Sequence, residues 1–262
     1  MSERLRILKL LEEGKINAEE AARLLEALNG GESRKRHGPP HAFSFWHTMD
    51  SIPEMVTSAI HGAFGHASAE ETLKFSKKQK LELKGVSGDI DISGKDTDII
   101  TIEKDGFVGV NESPDTLQIK ALSGNLEITV PKAINLGIKG VSGDLNIAHV
   151  NGIIEIATVS ADICGKDLSG SLKADIVSGD VELEYSMIDK IEIKEKTGDV
   201  SITISKDTEA EIEVETREGE IDCEFELKDA VEKNGYLKGT INKPGGKIFI
   251  RNEYGDVAIQ KK

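Results

Sequence analysis

"KGVSGDIDIS", Lys84 to Ser93, returns as "KGVSGDLNIA", Lys139 to Ala148. Gly, Ser and Asp are turn formers, and the residues that follow alternate apolar with polar. The phrase therefore reads as a tight corner leading into a half-buried strand. Echoes of it run down the chain: "ALSGNLEI" from Ala121, "TVSADI" from Thr158, "IVSGDVEL" from Ile176 and "KTGDVSI" from Lys196, with fainter copies "REGEIDC" from Arg217 and "EYGDVAI" from Glu253. Anchored on Gly88, Gly124, Gly143, Ala161, Gly179, Gly198, Gly219 and Gly255, the steps are 36, 19, 18, 18, 19, 21 and 36 residues. Each long step reads as two short ones. The first divides at Gly106 in "KDGFVGV", and the last holds an irregular turn around "KNGYLKGTINKPGG".

Apolar pairs keep the same period. Leu81 and Leu83, Leu136 and Ile138, Ile154 and Ile156, and Ile191 and Ile193 precede their anchors. Ile90 and Ile92, Leu145 and Ile147, Val181 and Leu183, and Val200 and Ile202 follow theirs. Alternation on both sides of a repeated corner predicts two strands per coil, each coil laid on the last. The expected fold is mainly β: a single-stranded β-solenoid, or parallel β-helix, of about ten coils over 81–262, roughly 45 to 50 Å long at one strand spacing per coil.

The formal charge of −14 is uneven, because residues 81–262 hold 21 Lys and Arg against 36 Asp and Glu. Such a stack repels phosphate backbones, so no nucleic-acid partner is expected. No apolar run approaches the roughly 20 residues of a membrane-spanning helix, and "MSERLRILKLLEEGK" lacks the apolar core of a secretory signal. The expected location is cytoplasmic. Cys164 and Cys223, three coils apart by count, are expected to stay beyond disulfide reach. The closing "AIQKK" reads as a lysine guard on the far end of the stack.

Asp144, Asp162, Asp180 and Asp199 fall at the same corner of successive coils. Such a column either bonds backbone amides or shares calcium ions; the glycine-rich calcium nonapeptide is absent, so the amide reading is preferred. Five of the six histidines, His37, His41, His47, His61 and His66, precede the solenoid with only Asp50 and Glu54 as acid company and no fixed ligand spacing, so they read as solvated rather than metal-binding. "KPGGK", Lys243 to Lys247, lacks the Gly-Lys-Ser/Thr ending of a phosphate loop. No catalytic residue, metal or cofactor is assigned, and no enzyme activity is expected.

Residues 1–30 change the period to about 3.6. Leu5, Ile7, Leu8, Leu10 and Leu11 give one helix an apolar face that Gly14 stops. Asn17 with Glu20 forms a capping box for a second helix, which carries Leu24, Leu25 and Leu28. So short a helical hairpin must self-associate or dock, with Leu8, Leu11, Leu24, Leu25 and Leu28 as the contact. Residues 31–42 read as a linker with a basic run at Arg34 to Arg36. Residues 43–80 hold Trp46, and Phe45, Met49, Ile52, Val56, Ile60 and Phe64 recur there at threes and fours. This segment is expected to cap the first coil, since an open strand edge invites pairing. A protein-docking surface is the next reading and a peripheral membrane contact the least, because the polar side lacks Lys and Arg.

The "GVSGDI" corners and the front hairpin "ILKLLEEGKINAEEAARLLEAL" together resemble the Toastrack "putative adhesin" solenoids of bacteria, fused to a SHOCT-like module. That resemblance implies a non-enzymatic scaffold or interaction protein linked to cell-envelope stress responses, with residues 1–80 for self-association or docking and the solenoid as a rigid acidic platform. The alternatives are a surface adhesin exported without a recognisable signal and, lower, a polysaccharide-active β-helix enzyme with a lateral cleft.

Overall fold

The structure, a computed structural model, describes residues 71–105 and 107–262. The described chain is strand throughout, and its burial alternates as the apolar pairs require. Leu81, Leu83, Ile90, Leu117, Ile119, Leu136, Ile138, Ile154 and Ile191 are essentially inaccessible to solvent, while the residues between them face outward. The fold is the expected β-solenoid.

The first strands are β1 (Glu71–Ser76), β2 (Lys80–Lys84), β3 (Ile90–Lys95), β4 (Ile99–Lys104), β5 (Phe107–Glu112), β6 (Thr116–Ser123) and β7 (Leu126–Pro131). Next come β8 (Asn135–Lys139), β9 (Leu145–Ala148), β10 (Asn151–Ser160) and two long bent strands, β11 (Ile163–Ser178) and β12 (Val181–Thr197). The chain closes with β13 (Val200–Ile204), β14 (Ala210–Glu218), β15 (Ile221–Cys223), β16 (Leu227–Lys233), β17 (Tyr236–Ile241), β18 (Gly246–Tyr254) and β19 (Val257–Lys261).

Two stacked faces result. On the first, β6, β2, β8, β10, the second half of β11, the second half of β12, β18 and β14 follow one another, all parallel. On the second, β7, β3, β9, the first half of β11, the first half of β12, β13, β19 and β15 do the same. Inward residues pile in register, for example Leu81 on Leu136 and Ile154 on Leu172.

The stacking order departs from the sequence order at both ends. The coil written first, β2–β3, lies between the coil of β6–β7 and the coil of β8–β9. The coil written last, β18–β19, lies between that of β12–β13 and that of β14–β15. Neither long sequence step is two ordinary coils. In the first, β4 and β5 run backward, antiparallel to β7 and β6, with β1 antiparallel on β4. In the second, β17 runs antiparallel to β14 and β16 to β17. The reversal has a physical use: a parallel coil at the end of a stack leaves a row of open amides and carbonyls, and a strand turned back on it satisfies them without a long crossover.

The coil first in sequence has strands on both sides, and residues 43–70 of the segment expected to cap it lie outside the described residues. Two other expectations change. "AIQKK" does not guard an end, since β19 is interior. Cys164 and Cys223 are free thiols, and the interposed last coil puts them four layers apart, roughly 19 Å at one strand spacing per layer.

Candidate interaction surface

Every corner but that of Ala161 is built around a glycine, and most of these glycines hold a backbone conformation that a side chain would strain. Gly88, Gly143, Gly179, Gly198 and Gly255 have φ between 133 and 143°, and a Cβ on Gly255 would lie 1.9 Å from the carbonyl oxygen of Gly198 in the next layer. Close backbone approach also brings the acidic corner residues into a ladder. The Asp89 amide donates to Asn125 Oδ1 at 3.1 Å and the Asp144 amide to Asp89 Oδ1 at 3.1 Å. Further along, Asp180 donates to Asp162 Oδ1 at 2.9 Å, Asp199 to Asp180 at 2.9 Å, Asp256 to Asp199 at 2.8 Å and Glu220 to Asp256 at 2.8 Å. The predicted column of Asp144, Asp162, Asp180 and Asp199 is thus present and longer than expected, and Asp89, Asp162, Asp180, Asp199 and Asp256 serve as acceptors for the next layer's amides. Among the described residues, no group of three or more His, Cys, Asp or Glu side chains is set to hold a metal ion.

Beneath the corners lies a buried polar cluster that sequence reading missed. Glu195, Asn252 and Thr216 occupy register-equivalent positions of three adjacent layers and are 4, 1 and 4% exposed. Asn252 Nδ2 donates to the Gly198 carbonyl at 2.8 Å, and Thr216 Oγ1 to the Gly255 carbonyl at 3.1 Å. Both carboxyl oxygens of Glu195 and the Oδ1 of Asn252 lack a partner. Burial first, then the negative corners Asp180, Asp199 and Asp162, push the Glu195 carboxyl up to about 8. Glu195 therefore holds its proton near neutrality, as a buried acid without a counter-charge must. A signal existed: Glu195 stands four residues after Ile191, as Ile176 does after Leu172 and Thr158 after Ile154, and both of those are inward.

Charge is distributed unequally outside. On the first face, anions and cations interleave: Glu192 lies 2.7 Å from Lys190 and 3.2 Å from Lys194, and Glu215 lies 2.9 Å from Arg251. Glu82 is flanked by Lys80 and Lys84, and a hydrogen bond from Gln118, then the lysines, brings its carboxyl down to about 2. On the second face, Asp91, Glu127, Glu182 and Asp222 are exposed beside the corner ladder. His149, the sixth histidine, is half exposed and pairs through Nδ1 with Asp167 Oδ2 at 3.0 Å.

A cleft of about 600 Å3 opens where the second face ends, between Ile221, Cys223 and Phe225 on one side and Leu227, Tyr236 and Leu237 on the other. Its thiol is poorly suited to nucleophilic work, since burial pushes Cys223 up rather than down. The residues expected to contact a partner or membrane, Phe45, Trp46, Met49, Ile52, Val56, Ile60 and Phe64, lie outside the described residues, as do Leu8, Leu11, Leu24, Leu25 and Leu28.

Residues 59–260 match the family model Toastrack DUF4097, and residues 2–33 match that of the SHOCT-like domain. No curated protein matches the chain. Among solved structures, the chain is similar to a "putative cell adhesion protein" from Clostridium sporogenes, at 15% identity over 74% of this chain and 100% of that one, with a TM-score of 0.46. It is also similar to a "putative adhesin" from Bacteroides fragilis, at 10% identity over 74 and 98%, TM-score 0.31. A "putative lipid binding protein" from Parabacteroides distasonis follows at 11% identity over 74 and 95%, TM-score 0.24. With these scores the account of the fold rests on the strand pairing above.

Proposed function

The chain belongs to the Toastrack DUF4097 family, and from that premise we propose that it is a non-enzymatic interaction protein: a stiff solenoid presenting an acidic corner and face, with residues 1–80 for self-association or docking. The observation that carries this reading is the corner ladder. Its carboxylates are held at one-layer intervals by the next layer's amides, so the acidic groups form a fixed, repeating surface rather than a convergent set around one reacting atom. The match of residues 2–33 to a SHOCT-like domain supports placing the association function there. We place the protein in the cytoplasm, with peripheral membrane contact through 43–80 and a role in cell-envelope stress as the finer proposal.

Leu8→Glu with Leu11→Glu in the full chain tests the association role. Light scattering is expected to show loss of the oligomer while the melting midpoint of the solenoid stays unchanged; an unaltered mass would remove residues 1–80 from this role. Protease added to intact cells tests the location. Protection is expected, and cleavage would support a surface adhesin instead.

A further inference from the structure

The two faces of the solenoid do not end together. At the end away from β1, the first face continues past β14 with β17 and β16, whereas the second face stops at β15. Among the described residues, β15 pairs with β19 alone, so its other edge fronts the cleft of about 600 Å3. Three observations define what that edge lacks.

The first is backbone polarity. The Val257 amide donates to the Glu220 carbonyl at 2.9 Å and the Glu224 amide to the Ile259 carbonyl at 3.0 Å. Residues 220, 222 and 224 therefore turn their backbone groups to β19, and strand alternation turns those of Ile221 and Cys223 toward the cleft. The second is the core. Ile221 and Cys223 are half-buried, while their register partners Val257 and Ile259 are 1 and 0% exposed, so the missing neighbour is apolar on its inward side. The third is charge. Glu218, Glu220, Asp222, Glu224 and Glu226 are exposed along this edge. A second copy of β15 laid on the first would set these acids against one another, whereas Lys or Arg at alternate positions would neutralise them.

We propose that the β15 edge is a docking site for an extended segment of a partner protein, which adds as one more strand with apolar side chains entering the cleft and basic side chains between them. The mode is strand addition: main-chain hydrogen bonds to Ile221 and Cys223 supply affinity, and the acidic outer positions supply selectivity. The site is remote in sequence from residues 1–80 and stands whether or not those residues associate.

The test uses the full chain and a fluorescent heptapeptide alternating lysine with valine. Hydrogen exchange of the free protein should find the amides of Ile221 and Cys223 unprotected, and adding the peptide should slow them at least about tenfold. Anisotropy should show binding that a glutamate–valine counterpart lacks. Glu220→Lys with Asp222→Lys, both exposed and so expected to leave the melting midpoint unchanged, should weaken binding about tenfold or more. Amides already protected in the free protein would mean the edge is occupied by this chain or its copy and would overturn the proposal. So would absence of binding, equal binding of the acidic peptide, or binding indifferent to the double substitution.

Discussion

Glu195 is the residue at which burial and charge conflict most sharply. Its carboxyl is raised from an ordinary 4.5 to about 8, so the folded chain keeps a proton that the unfolded chain releases as pH climbs through 4.5. The resulting stabilisation is complete below about pH 4.5 and is lost as pH rises to about 8, a total of at most ~5 kcal/mol. Glu195→Gln keeps the shape without the titration. Its melting midpoint is expected to stay flat between pH 5 and 8.5 while that of the parent falls; parallel profiles would mean that Glu195 ionises freely. Glycine supplies a second contrast. Gly140 has φ of 68° and its nearest neighbour to an added Cβ is Gly85 at 3.7 Å, so Gly140→Ala should cost about 1 kcal/mol of backbone strain. Gly255→Ala adds a backbone clash to a φ of 140° and should cost about 3 kcal/mol or more in chemical denaturation.

The corner ladder is the element that binds layer to layer. Asn125 already holds one rung through the same Oδ1 geometry, which shows that the bond and not the charge is required there. Asp180→Asn should therefore keep stability or raise it slightly, while Asp180→Ala removes the acceptor for Asp199 and should lose about 1 kcal/mol. Equal losses for the two variants would make the charge itself responsible. At this scale the corners, the inward pairs and the acid column were all legible in the sequence, because each repeats with the coil. The reversed strands were not. Ile100 and Ile102 alternate with polar residues whichever way the chain runs, so periodicity marks a strand and its inward side but not its direction. Glu195 was hidden by its chemistry rather than by its period: in "IEIKEK" it falls on the side of Ile191 and Ile193, but an acid between two lysines reads as a solvated strand end.

For the solenoid as a whole, stability should grade from the middle outward, since each layer is held by its neighbours alone. Amide exchange is expected to be slowest in β10 to β13, which have parallel neighbours on both sides, and fastest in β15 and β16. Uniform protection would point to a single cooperative block. The repeated phrase from Lys84 and Lys139 has its explanation here. The two copies are 55 residues apart yet in contact, with the Gly85 amide donating to the Lys139 carbonyl at 2.9 Å and Asn146 Nδ2 to Asp91 Oδ1 at 2.9 Å. In both copies a left-handed glycine, Gly85 or Gly140, turns the following valine inward, so likeness of wording marks neighbours in space.

That order is what the account stands on, and paired cysteines measure it directly. In a chain with Cys164 and Cys223 replaced by serine, Asp91→Cys with Asn146→Cys should form a disulfide under mild oxidation, because these positions face each other across adjacent strands. Glu127→Cys with Asn146→Cys should not, because the β3 layer separates them. A disulfide in the second pair and none in the first would mean that the coils stack in the order in which they are written, and would contradict the fold described above.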